Sequence, residues 1–195
     1  MVSFGDGSWR LAKSLITLYN QIDTKLPLRN KSGDGTIAGA AHHRSNPNSD
    51  HEPDATGVVR ALDITHDPAH GVDTCRLAEN LRLGRDRRIK YVISHRRIFG
   101  DEGYASRNGR SAWTWEHYGG PNPHDTHMHV SVNASDALAD DTSAWGLGDS
   151  GDAVQIVQEN TGSQPCLPIP PPAQSRQGTR RNRSVRSRPA ARGHA

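Results

Sequence analysis

From His127 to Asn133 polar and apolar side chains alternate, with His127, His129, Ser131 and Asn133 on one face and Met128, Val130 and Val132 on the other. Successive side chains of a strand point to opposite faces, so this period of two predicts a half-buried strand. Its apolar face packs and its histidine face lines a site. The segment from Val58 to Thr65 reads the same way, with Leu62 and Ile64 inward and Asp63 on the opposite face beside Ala61. An aspartate in mid-strand runs against β-propensity and needs a compensating partner, either a metal ion or an arginine.

A metal answers that need best when His51 and His129 are set beside Asp63. Zinc in hydrolases commonly takes three protein ligands from imidazole and carboxylate and keeps a fourth position for water, whose pKa falls to about 7. The chain holds eleven histidines, so a lone His-X-His pair is weak. The weight comes from adding Ser49-Asp50-His51 and the strand-borne aspartate. His42, His43, His66, His70, His95, His117 and His194 have no such support and read as surface or loop residues. His66 lies an odd number of residues from Asp63, so a continuous strand turns it to the other face. His43 and Arg44, just before His51, are candidate groove residues.

The run Ser49-Asp50-His51, then Gly57, then Ala61-Leu62-Asp63, and later His127-Met128-His129 resembles the zinc signature of the LAS metallopeptidases. That group joins lysostaphin-type enzymes, D-Ala-D-Ala carboxypeptidases and the hedgehog signalling domain, and it includes many phage endolysins. The likeness spans roughly residues 8 to 134 and is closest to the D-Ala-D-Ala carboxypeptidase-like branch. It implies an α+β fold in which a small antiparallel sheet, flanked by helices, carries the site. It further implies one Zn2+ held by His51, Asp63 and His129, with His127 assisting proton transfer or steadying the transition state. The implied activity is hydrolysis of a peptide bond in peptidoglycan stem peptides or cross-links, as in a phage lysin. Two features depart from the family pattern. The insert Glu52-Pro53-Asp54-Ala55-Thr56 lengthens the usual spacer between the first two ligands, and Pro53 and Gly57 can close it as a loop. Thr126 stands where several relatives place a catalytic acid three residues before the last ligand. His127 is therefore the first choice of general base and Asp125 the second catalytic candidate, with His124 and Glu116 as further alternatives.

For substrate binding, Arg44 or Arg60 can grip a carboxylate with a bidentate fork. Between Gly100 and Asp125 a long loop carries Trp113, Trp115 and Tyr118, which either wall a groove that stacks on glycan or peptide or anchor the loop to the core; Trp115 and Tyr118 are taken as substrate-binding. A rival reading is a non-catalytic zinc-containing wall-binding domain, which His127→Ala discriminates. A second is a nuclease gripping DNA with a basic tail, and it is disfavoured because the folded part is acidic without interleaved aromatic and basic residues.

Helical spacing of Leu11, Leu15, Leu18 and Ile22 predicts an amphipathic helix from Ser8 to Ile22, followed by a polar loop to Ala41. Asp73 is placed to cap a helix carrying Leu77, Ala78 and Leu81 that stops at Gly84. Ile89 to Ser94 alternates as a strand and pairs with Arg97 to Phe99. Cys75 in that helix reads as a buried free thiol, and Cys166 sits in a Pro-rich stretch, with no redox role for either.

Residues 1–138 form the zinc peptidase domain in this reading, and 139–163 a linker with a truncated peptidoglycan-binding-like helix. Residues 164–195 form a Pro-rich then Arg-rich disordered tail. That tail holds seven arginines and no acid from Arg176 onward; without them 17 basic residues face 21 acidic ones, so the body carries −4 against +3 for the whole chain. Such a tail suits non-specific contact with anionic polymer. Only 33 % of residues are hydrophobic and the mean hydropathy is −0.77, so part of the chain is not expected to pack. No apolar run approaches membrane-spanning length, and no basic-then-apolar signal pattern opens the chain. The expectation is a monomer made in the host cytoplasm that acts on peptidoglycan after release, with no membrane and no specific nucleic-acid partner.

Overall fold

The computed structural model describes residues 3–147, so the expected peptidoglycan-binding-like helix and Arg-rich tail lie outside the described residues. In chain order the elements are β1 (Arg10–Leu11), α1 (Lys13–Lys25), α2 (Ala40–Ser45), β2 (Val58–Val59), β3 (Ala61–Thr65), α3 (Thr74–Gly84), β4 (Ile89–Ser94), β5 (Arg97–Gly100), α4 (Glu102–Asn108), β6 (Glu116–His117), β7 (His127–Val132) and α5 (Asp136–Ala139). Helix and sheet are mixed, and the main sheet is small and antiparallel, in the order β3-β7-β4-β5-β6.

The period-two pattern of β7 does what it predicts. Met128, Val130 and Val132 are fully buried, as are Leu62 and Ile64 of β3 and Val92 of β4. This face packs against α3 and α1, whose Leu77, Ala78, Leu81, Leu15 and Leu18 complete one core. Burying each large aliphatic side chain contributes about 1.5–3 kcal/mol. The opposite face of the same strands is thereby left to carry Asp63, His129 and Ser131.

α3 starts where expected: the Asp73 carboxylate accepts from the backbone N–H groups of Cys75 and Arg76, satisfying two donors that a helix start leaves without partners. The first helix starts later than its apolar spacing suggests. Arg10 and Leu11 are drawn into a parallel pair with Val58 and Val59, so Leu11 is buried from a strand and α1 begins only at Lys13. The strand expected from Val58 to Thr65 breaks at Arg60, whose N–H donates to Asp50 O at 3.0 Å. The expected loop from Gly100 to Asp125 contains α4, capped by the Asp101 carboxylate, and the edge strand β6.

Packing also runs past the expected domain boundary at residue 138. Trp145 is 2 % exposed, donates its indole N–H to Ser14 O and lies 4.0 Å beneath the Arg88 guanidinium. Residues 139–147 therefore belong to the domain and are no linker. Cys75 is likewise a correction: it is disulfide-bonded, not a free thiol. Among the described residues no helix is long and apolar enough to cross a membrane.

Candidate metal centre

β3 and β7 are neighbours, and their register sets Asp63 directly opposite His129. A cross-strand pair on one face brings its side chains together, and Asp63 Oδ1 lies 3.1 Å from His129 Nδ1. His51 reaches the same point from the loop after α2. Its Nε2 is 3.2 Å from Asp63 Oδ1 and 3.0 Å from His129 Nδ1. Tetrahedral bonds of about 2.0–2.2 Å would hold ligand atoms roughly 3.3 Å apart, so the triangle fits one small cation. These three residues form a group that could hold a metal ion.

The tautomers explain why a cation is wanted. His51 Nδ1 is 2.7 Å from Thr36 O, and a carbonyl only accepts, so the proton sits on Nδ1 and Nε2 presents a lone pair. His129 Nε2 is 2.8 Å from Ser131 Oγ; with its proton there, Nδ1 also presents a lone pair. Two imidazole lone pairs and a carboxylate oxygen then converge in a buried place, which is unfavourable without a positive charge between them. Tyr91 backs the site, its ring stacked on His129 at 5.2 Å.

Because Ser131 fixes the His129 ring from behind, Ser131→Ala is expected to weaken metal affinity by about 10–100-fold with the fold intact. Competition against a chelating dye would measure it, and an unchanged affinity would show that the hydroxyl does not orient the ring.

The site opens into a cleft of about 530 Å³ whose lining includes His127, His124 and Tyr118. His127 Nε2 lies 3.9 Å from Asp63 Oδ2. The His124 ring is 4.9 Å from that of His127 and 5.8 Å from that of His129. Burial, followed by the neighbouring His129 and His127, pushes the His124 pKa down to about 4, so this ring is neutral near pH 7. Its Nδ1–H donates to Asn122 O at 2.8 Å, leaving Nε2 as the basic nitrogen. His124 ranks only as an alternative base in the sequence, since nothing in an exposed-looking Asn-Pro-His run announces that the ring turns inward.

The device that seats this loop is also silent in the sequence. His95 and Arg96 make the two-residue β4–β5 turn with φ of 49° and 58°, a conformation that favours Asn-Gly and costs a non-glycine residue about 1–2 kcal/mol. In return, His95 N–H donates to His124 O at 3.1 Å, Arg96 N–H to Pro123 O at 2.8 Å, and Tyr118 N–H to Arg96 O at 2.7 Å. The strained turn thus docks both Tyr118 and His124 at the cleft.

The remaining expected site residues are placed elsewhere. Asp125 is exposed and off the cleft. Glu116 accepts from Arg110 and from Ser111 N–H. Arg44 is exposed and does not line the cleft, while His43 pairs with Glu52 at 2.9 Å. Arg60 is 7 % exposed and pairs with Asp54 and Asp136, so it braces the strand break. Trp115 is likewise an anchor: its indole N–H donates to Glu79 at 2.6 Å and its ring packs on Phe99 and Arg97. Trp113 is buried and donates to Glu102. His66 bonds Thr74 and stays off the cleft, as its odd spacing from Asp63 predicts. Compared with protein-family models, curated proteins and solved structures, the chain matches none.

Proposed function

We propose that this chain is a zinc-dependent peptidase that hydrolyses a peptide bond in peptidoglycan stem peptides or cross-links, as a phage lysin does. The observation that carries the reading is the convergence of His51 Nε2, His129 Nδ1 and Asp63 Oδ1 within 3.0–3.2 Å of one another at a cleft that also presents His124 and His127. Two imidazoles and one carboxylate suit zinc in tetrahedral geometry better than the oxygen-preferring cations. The choice of stem peptide rests on the resemblance of the same residues to the LAS signature.

A zinc ion held there would supply Lewis acidity and an activated water. The chain's own residues divide the remaining work. Asp63, His51 and His129 fix the position of the reacting centre. His127, at the cleft edge, receives a proton or steadies developing negative charge, and His124, held neutral by burial, presents a ring nitrogen that accepts a hydrogen bond beside it. Tyr118 forms part of the wall against which the substrate lies.

The test is mass spectrometry of fragments released from purified peptidoglycan, with and without chelator, followed by zinc add-back. Chelator-sensitive release of defined peptides is expected. His127→Ala is expected to slow release by about 10²–10⁴-fold while zinc stays bound at one equivalent. Zinc retention with no release by the unmodified protein would support a wall-binding role instead.

A further inference from the structure

The charge of the cleft wall limits which peptide bond can enter it. Among the described residues lining the cleft there is no lysine and no arginine. Its acid is Asp63, which belongs to the metal triangle. Beyond His124 and His127 beside the metal triangle, the hydrogen-bonding groups on the walls are hydroxyls and carboxamides, from Ser45, Asn46, Ser49, Tyr91, Tyr118 and Asn122. Between them lie the apolar surfaces of Ile37, Ala38, Ile93 and Pro121, and Ile37 is 41 % exposed although aliphatic.

Among the described residues, the nearby cations are engaged elsewhere or stand off the cleft. Lys90 places its Nζ 2.7 and 2.8 Å from the two carboxylate oxygens of Asp50. Arg29 is spent on Asp34 and Asp23, and Arg60 on Asp54 and Asp136. Arg97 lies under the Trp115 ring at 4.5 Å. Arg44 and Arg96 are exposed and outside the lining.

An enzyme that trims a terminal residue must hold a free carboxylate beside the scissile bond, and a guanidinium fork or an ammonium normally does this. Away from the metal, taking that carboxylate out of water against hydroxyl and carboxamide groups is costly. An amide segment needs no such partner. Its N–H and C=O groups are matched by hydroxyl and carboxamide side chains, and its side chains by aliphatic surface.

We infer that the cleft takes an internal amide bond, with no terminal carboxylate seated beside it, so that the protein is an endopeptidase and not a carboxypeptidase. This rests on the hydrolase reading above and narrows it. The 41 % exposure of Ile37 then has a use, as an apolar contact for a substrate methyl group beside the cut.

Two measurements on the full zinc-loaded chain test the inference. In digests of cross-linked peptidoglycan, chelator-sensitive products should be peptides or opened cross-links, with no free amino acid released in step with them. On a stem peptide that the protein cuts, converting the C-terminal carboxylate to the amide should change kcat/KM by less than about twofold, whereas a site built on a carboxylate contact would lose roughly 10–100-fold. Stoichiometric free D-alanine, or a tenfold loss on amidation, would overturn the endopeptidase inference while leaving the hydrolase reading standing. Absence of any chelator-sensitive product would remove that reading and the inference with it.

Discussion

Asp63→Ala is expected to abolish stoichiometric zinc binding and, with it, peptidoglycan hydrolysis, without unfolding the domain. The carboxylate sits opposite His129 on the neighbouring strand and touches both ligating nitrogens within 3.2 Å. Its removal takes away one of three donors and the negative charge that balances the cation. The affinity loss should therefore exceed the roughly 10–100-fold that follows from disturbing a residue behind a ligand. The strand itself tolerates the change, since the core face at Leu62 and Ile64 is untouched. Thermal unfolding supplies a readout independent of catalysis. A ligand that binds only the folded state stabilises it by about 4.1 kcal/mol at a thousand times its Kd, so zinc should raise the Tm of the parent protein and leave that of Asp63→Ala unmoved. Zinc-dependent stabilisation that survives in the variant would mean that the metal sits elsewhere. Asp63→Asn sharpens the test, because it keeps the shape and removes the charge, and it should fail in the same way.

The parts legible in the sequence are those written in strand periodicity. Alternation in His127–Val132 and Ala61–Thr65 assigns each side chain to a face, and two adjacent strands with these faces bring Asp63 to His129. Asp73 announces the start of α3 because capping is a local hydrogen-bonding event. What the sequence hides is decided by partners distant along the chain. Leu11 has helical spacing but joins a strand, because Val58 and Val59 offer backbone groups that a helix start would leave unpaired. Trp115 has the composition of a substrate platform but is bonded to Glu79, a residue 36 positions away. Arg44 looks like a carboxylate fork beside His51 yet remains exposed off the cleft. His124 becomes a cleft residue only through the His95–Arg96 turn, whose left-handed backbone nothing in a His-Arg pair foretells.

Asp34→Ala is expected to cost about 3–5 kcal/mol of stability, because it strips the counter-charge from a guanidinium sealed inside the fold. Arg29 grips Asp34 with both terminal nitrogens, at 3.0 and 2.7 Å, and both side chains are fully shielded from water. Burial alone would lower the Arg29 pKa, yet Asp34 and Asp23 raise it, so the charge persists and must be matched. Asp34 also accepts the Thr65 N–H and hydroxyl at 2.8 Å, tying the loop to the end of β3. The next two residues connect this brace to the metal triangle. Gly35 exchanges backbone hydrogen bonds with Asp63, and the Thr36 carbonyl holds His51 Nδ1 at 2.7 Å. Asp34→Ala should therefore weaken zinc binding even at temperatures where the chain stays folded, since it loosens the groups that orient two of the three ligands. Denaturant unfolding at pH 7, paired with zinc titration, measures both effects. Arg29→Met should match the stability loss by leaving Asp34 buried and unpaired. The double variant should recover part of that loss, because removing both charges leaves no lone ion in the interior. A loss below about 1 kcal/mol would place this ion pair with weak surface pairs and refute the brace.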